Sequence, residues 1–307
     1  MPIRTPVVLS PSRAELGARC HRRHFLEDVA DRRKFKSPSA AFGNVIHKGA
    51  AAWWLTGNPS EAMEAAVNEW KRVRPSGDKH SVEMAEFLMR SYPNHAKMAV
   101  NMPGVWEIVE VEKRYMLTIG SKVFSFQMDR LLTNTSRDLL TVDTKTSAYI
   151  SAKWHEQWNF SLQQKLYRYG LRKLVENKTL PAARNLYTSI EGVEKKMPFK
   201  MEPHLCPNWD DEVLEEAVRL WEWVAEEDES LLMIGVSEAV KRHGKEYTDE
   251  QLREAVEEAG VKYTLFNYQD CRSYGMDCPF KTLCVEAPSQ RLGILWNEFD
   301  VAPVEGY

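Results

Sequence analysis

The chain has 307 residues, 43% of them hydrophobic and 28% charged, and a formal net charge of −3. That balance belongs to an ordinary globular chain and excludes disordered and fibrous classes, and the length suffices for one large domain with insertions or for two small ones. No stretch approaches the roughly 20 uninterrupted apolar residues that span a bilayer, and the first residues lack the long apolar run of a secretory signal, so a cytoplasmic protein without a membrane partner is expected.

In chain order, the apolar spacing predicts a helix over 10–30, with Ser10 or Ser12 as caps and Leu16, Cys20 and His24 on one side. Further helices are predicted over 39–56, where Phe42, Ile46, Ala50 and Trp53 form a stripe, and over 60–73 and 81–100. The period then changes to two. WEIVEVEKRYML, KVFSFQMDRLL and DLLTVDTKT read as three successive strands, separated by turn signals at 119–121 and 134–136. A long helix over 151–176 and a strand at 184–190 complete an α-β-β-β-α-β middle. Helices at 209–235 and 248–259, a cysteine-bearing loop and an extended tail from Pro288 follow. The expected divisions are a basic helical segment (1–40), a core (41–205), an acidic helical region (206–260) and a C-terminal loop and tail (261–307).

Charge is uneven along this order. Residues 1–50 carry ten basic residues against four acidic ones, a net of +6, whereas 208–260 is rich in acids such as Asp210, Asp211, Glu226 and Asp228. The basic segment could contact a polyanion, and both stretches could equally be solvated helix faces.

The strand pattern puts Ser125, Gln127 and Asp129 on one face, opposite Phe124, Phe126 and Met128. It also groups Thr141, Asp143 and Lys145. If the two strands are neighbours, two carboxylates and an ammonium converge at one point. Two carboxylates suit a hard cation such as Mg²⁺ or Mn²⁺, which polarises a phosphate oxygen while a lysine stabilises developing charge. The alternative is a solvated cross-strand charge pair.

Five cysteines are too few and too scattered for a secreted disulfide framework. Cys271, Cys278 and Cys284 fall within 14 residues, together with Gly275 and Pro279. Such a group suits zinc or an iron–sulfur centre, although zinc sites more often show close C-x2-C pairs. Cys206 is left over; it could supply a ligand in place of Cys20, although a buried thiol is the better reading. No GxxxxGK[ST] or GxGxxG loop is present, which argues against a nucleotide-driven motor or a dinucleotide oxidoreductase.

Taken together, Ser10-Pro11-Ser12, Gly43-Asn44-Val45-Ile46-His47, Asp129, Val142-Asp143-Thr144-Lys145 and Gln163-x-x-x-Tyr167 resemble the RecB-like branch of the PD-(D/E)xK nuclease superfamily. The match in order covers residues 10 to 284. The resemblance implies an α/β (α+β) restriction-endonuclease-like core with helical additions and a metal-dependent deoxyribonuclease, an exonuclease acting on DNA ends or single strands in recombination, repair or processing.

Residue by residue, it implies His47, Asp129, Asp143 and the carbonyl of Thr144 as ligands of Mg²⁺ or Mn²⁺. Lys145 would be the catalytic lysine, and Gln163 and Tyr167 would lie beside the site and help to hold DNA. It further implies that Cys20, Cys271, Cys278 and Cys284 hold a 4Fe-4S cluster stapling the two ends of the chain, as in the subset that includes AddB-type and CRISPR-associated adaptation nucleases. Arg19, Arg22 and Arg23, beside Cys20, would contact phosphates. Without a motor motif, such a protein would act alone, as a homo-oligomer, or beside a helicase or recombinase, and an origin in a bacterial virus or mobile element fits. One position departs from the family pattern: Phe126 stands where a glycine is common, three residues before the first acid. It leaves open a catalytically inactive DNA-binding or assembly protein, and an iron–sulfur redox protein with incidental acids is the third alternative.

Overall fold

A computed structural model of the chain describes residues 8–30, 32–33, 38–77, 80–96, 102, 105–264, 280, 284, 290–298 and 300–301. It divides into two compact units, one of residues 1–35, 116–125 and 216–307, the other of 36–115 and 126–215. None of the helices is long and apolar enough to cross a membrane, among the described residues.

Most of the α-β-β-β-α-β order lies in the second unit, while residues 116–125, around the turn between its first two strands, belong to the first. Helices α3 (Pro38–Thr56), α4 (Pro59–Val73) and α5 (Val82–Ala96) precede strands β3 (Trp106–Ile119), β4 (Lys122–Asn134) and β5 (Leu139–Ser147). Helices α6 (Ala152–Trp158) and α7 (Leu162–Glu176) then lead to β6 (Leu186–Glu194) and β7 (Met201–Leu205). β4 and β5 are antiparallel, β5 and β6 parallel, β6 and β7 antiparallel, and β3 pairs with β4. A parallel pair needs a long crossover, which α6 and α7 supply.

Tight turns set the strand ends. Gly120 (φ +57°) follows β3, and the Asn134 side chain accepts the N–H groups of Ser136 and Asp138 between β4 and β5. Alternation in β4 follows the expected faces, with Phe124, Phe126 and Met128 buried and Ser125, Gln127 and Asp129 half-buried. Phe42, Val45, Ile46, Leu88 and Tyr92 of α3 and α5 form one apolar cluster with Val193 of β6. A second joins Ile150 and Trp154 to Ile190 and Cys206.

In the first unit, β1 (Val8–Leu9) runs parallel to Val123–Phe124, β2 (Arg32–Arg33) pairs antiparallel with β8 (Asp300–Val301), and Trp221 of α8 (Asp211–His243) donates to the Leu9 carbonyl. Asp228 of α8 is fully buried and bridges His21 (2.9 Å) and His24 (2.7 Å). Phe25 packs with Leu252, Ala255 and Val256 of α9 (Asp249–Tyr263).

Four expectations need correction. The helix over 10–30 is interrupted: α1 (Pro11–Arg19) ends at Cys20, whose backbone is extended, and α2 (His21–His24) passes into a π-helical turn, Phe25–Val29. The helix over 151–176 is two helices, because Ser161 caps α7 by accepting the Gln164 N–H. Strand β7 carries no sequence signal: it has only five residues, contains Pro203 and shows no burial alternation. The tail from Pro288 is not wholly extended, since Arg291–Glu298 forms helix α10, whose Leu295 is buried with Leu26, Val261 and Phe280. The expected cysteine-bearing loop lies largely outside the described residues.

Candidate metal centre

The site forms where β4 and β5 part. Their ladder runs from Thr133–Leu139 to Arg130–Val142. At the next position a side chain takes over from the backbone, and Asp129 Oδ2 accepts the Thr144 N–H at 2.8 Å. His47 Nδ1 lies 3.1 Å from the same oxygen. The sequence supplies this approach locally: Gly43, one turn before His47 on α3, leaves room for Thr146 of β5, whose Oγ1 would lie 3.3 Å from an added Cβ.

Asp143 lies two residues before Lys145, on the same face of β5. Its Oδ2 accepts from Lys145 Nζ at 2.7 Å and from Gln164 Nε2 of α7 at 3.2 Å. Behind this face, Thr144 is clamped by a buried polar network. Its hydroxyl donates to Glu191 Oε1 (3.2 Å), which also accepts from the Tyr92 hydroxyl (2.8 Å), while Arg130 pairs with Glu191 Oε2 (3.0 Å). Both Arg130 and Glu191 are buried. The Arg130 guanidinium also stacks 4.8 Å over the Trp54 ring.

The two carboxylates titrate in opposite directions. Burial pushes Asp143 up, and although Lys145 opposes it, the neighbouring Asp129 adds to the rise, giving about 6. Asp129 is also penalised by burial, yet His47, Lys145 and the Thr144 N–H outweigh that and hold it well below the usual carboxylate range. Burial lowers His47, but Asp129 and Asp143 more than compensate and leave it raised. A pair of carboxyls with divided pKa values in one cleft is a frequent property of reactive sites.

Gln163 and Tyr167 are both buried, and Gln163 Nε2 donates to the Tyr167 hydroxyl at 3.0 Å. The residue of this helix that reaches Asp143 is instead Gln164, fully buried, with an Oε1 that has no hydrogen-bond partner among the described residues. The i, i+4 spacing singles out Gln163 and Tyr167, and no sequence signal points to the adjacent amide. Nor does anything in the acid-rich run WEIVEVEKRYML set Glu112 of β3 apart. Phe126, the residue that departs from the family pattern, packs on Gly170 of α7, where an added Cβ would stand 2.6 Å from its ring.

The donors fit a hard divalent cation. Two carboxylates and an imidazole (Asp129, Glu112 and His47) present ligand atoms within 4.8 Å of one another, the single such group among the described residues. Asp143 and Thr144 lie alongside but outside that group.

In the first unit, Cys20 and Cys284 are buried. Burial pushes the Cys284 thiol up, Arg22 pulls it down and the nearby Cys20 pushes it up again. Cys271 and Cys278 lie outside the described residues. Burial drives Cys206 up to about 12, which keeps it a thiol. The expectation that Arg22 contacts phosphate is corrected: it is buried and donates to Thr264 (2.8 Å to the carbonyl) and towards Cys284 Sγ (3.8 Å). Arg19 and Arg23 pair with Glu15 and Glu27 along the helix.

A mixed sheet in which an acid, a second acid two residues before a lysine, and a histidine meet where two strands part defines a candidate centre for metal-assisted hydrolysis in an α/β protein. The sequence profile of the PD-(D/E)XK nuclease superfamily matches residues 8–285, and the chain belongs to that superfamily. A solved structure from Eubacterium rectale, provisionally described as an exonuclease, is similar at a TM-score of 0.45 and 11% identity, over 72% of this chain and 82% of that one. No curated protein matches the chain.

Proposed function

We propose that the protein is a metal-dependent deoxyribonuclease of the RecB-like kind that hydrolyses phosphodiesters from DNA ends. The observation that carries this reading is the pairing of Asp143 with Lys145 beside Asp129 and His47, within a chain of the nuclease superfamily. His47, Asp129, Asp143 and the Thr144 carbonyl would hold Mg²⁺ or Mn²⁺, which when bound supplies positive charge to a phosphate oxygen and the attacking water.

The chain's own groups do the rest. Lys145, held by Asp143 at 2.7 Å, places an ammonium where negative charge develops on the phosphate. Thr144, bonded through its N–H to Asp129 and through its hydroxyl to Glu191, fixes the strand that carries both. Gln164 orients Asp143, and Gln163 with Tyr167 supports the helix wall beside it. Phe126 bears on packing against Gly170 and removes no acid, so the inactive alternative gains nothing from it.

The proposal includes a 4Fe-4S cluster on Cys20, Cys271, Cys278 and Cys284, supported by the proximity of the buried Cys20 and Cys284 thiols. A viral or mobile-element setting and action beside a separate helicase or recombinase belong to the same reading.

The test is digestion of end-labelled single-stranded and duplex DNA and of closed circles, with Mg²⁺ or Mn²⁺, using protein purified without oxygen. Metal-dependent products from linear DNA alone, lost in Lys145→Ala and Asp143→Ala, are expected. No cleavage of any DNA by folded wild type would overturn the nuclease reading, and cleavage of circles would overturn end dependence. For the cluster, brown absorbance with iron and sulfide in equal amounts should vanish in Cys284→Ala and persist in Cys206→Ser. Zinc in its place, or no metal, would reject it.

A further inference from the structure

We infer that Glu112, on the strand preceding the two acid-bearing strands, is a further metal-binding carboxylate of this centre, aimed by a relay from Arg114 through Gln127. The inference rests on the metal-dependent reading above and adds a residue to it.

Glu112 would ordinarily be one of several acids on an alternating strand, pointing to solvent. The backbone prevents that. Its φ is +53°, in the left-handed region that a non-glycine residue rarely enters inside a strand. Around it the burial alternation of β3 is lost, with residues 109–112 all half-buried in succession. A local irregularity of this kind re-aims a side chain. Here it brings the Glu112 carboxylate to within 4.8 Å of the ligand atoms of His47 and Asp129.

The carboxylate is also oriented. Gln127 Nε2 donates to Glu112 Oε2 at 2.5 Å, and Arg114 Nη2 donates to Gln127 Oε1 at 3.3 Å. The arginine can only donate, so it fixes which end of the amide faces Glu112, leaving the NH₂ for the carboxylate. Ligand carboxylates are commonly held by such outer hydrogen bonds. Gln127 lies two residues before Asp129 on the same face of β4, so one strand supplies both a ligand and the support for its neighbour.

The experiment is calorimetric titration of the full-length apo protein with MnCl₂, repeated for Glu112→Gln, Gln127→Met and Asp129→Asn, with manganese electron paramagnetic resonance as the second readout. Wild type should bind, and Asp129→Asn should lose binding. Glu112→Gln should bind roughly 10- to 100-fold more weakly, with an altered spectrum, the scale seen when groups around a metal are removed. Gln127→Met should weaken binding by a smaller factor.

Glu112→Gln that binds Mn²⁺ as wild type does, while Asp129→Asn does not, would overturn the role of Glu112 and leave the metal-dependent reading standing. Wild type that binds no Mn²⁺ would overturn both. If Glu112→Gln loses its native circular dichroism, Gln127→Met decides: weakened binding supports the relay and unchanged binding rejects it.

Discussion

Asp143→Asn should make the metal-free protein more stable at neutral pH, and the gain should appear only as pH rises. In the folded chain Asp143 keeps its proton to about pH 6, against 3.8 for an ordinary aspartate. A carboxyl raised by folding stabilises the native state relative to the unfolded one most below the unfolded value, and that advantage is lost as pH climbs through the folded value. The gap of about two pH units corresponds to about 3 kcal/mol, an upper bound because Asn weakens the bonds to Lys145 and Gln164. At roughly 2–4 °C per kcal/mol, the melting difference between Asp143→Asn and wild type should grow by several degrees between pH 4 and 7.

Thermal unfolding in chelator across that range measures it. Asp129→Asn is the internal control with the opposite sign. Asp129 is held low, so its contribution is present above the unfolded value and lost as pH falls, and its replacement should cost most near neutrality. A difference for Asp143→Asn that stays flat, or shrinks with rising pH, would refute the claim that burial dominates this carboxyl.

Three further outcomes follow from the same geometry. Glu191→Ala leaves Arg130 buried and unpaired and should cost about 3–5 kcal/mol in urea unfolding, with activity falling as the Thr144 clamp is lost. Gly170→Ala drives a methyl into the Phe126 ring and should cost about 1–3 kcal/mol, much of it restored by adding Phe126→Leu, as a double-mutant cycle would show. Manganese at a hundred times its Kd should stabilise the protein by about 2.7 kcal/mol at pH 8. That gain should fall as pH drops through the raised pKa of His47, which must be neutral to ligate; melting temperatures at pH 6 and 8 check it.

Periodicity in the sequence is enough to give the α-β-β-β-α-β order, short of β7 and the break before α7, and the faces of the acid-bearing strands. A two-residue period leaves little freedom: once Phe124, Phe126 and Met128 must be buried, Asp129 has to lie on the other side, and Asp143 and Lys145 share a face by the same rule. The D-x-K triplet and His47 were legible because each is a residue type with its own chemistry at a fixed offset from a strand or helix. Tertiary structure alone decided what meets what. Glu112 became a neighbour of Asp129 through one left-handed backbone residue, which no periodicity announces, and Gln164 rather than Gln163 reached Asp143 because Ser161 caps a separate helix there. The same holds for Arg22, which reads as an exposed phosphate contact on a basic segment and is buried against Thr264, 242 residues away in sequence. Local pattern fixes which face a side chain takes, whereas the partners across that face come from distant segments brought together by the burial of apolar surface.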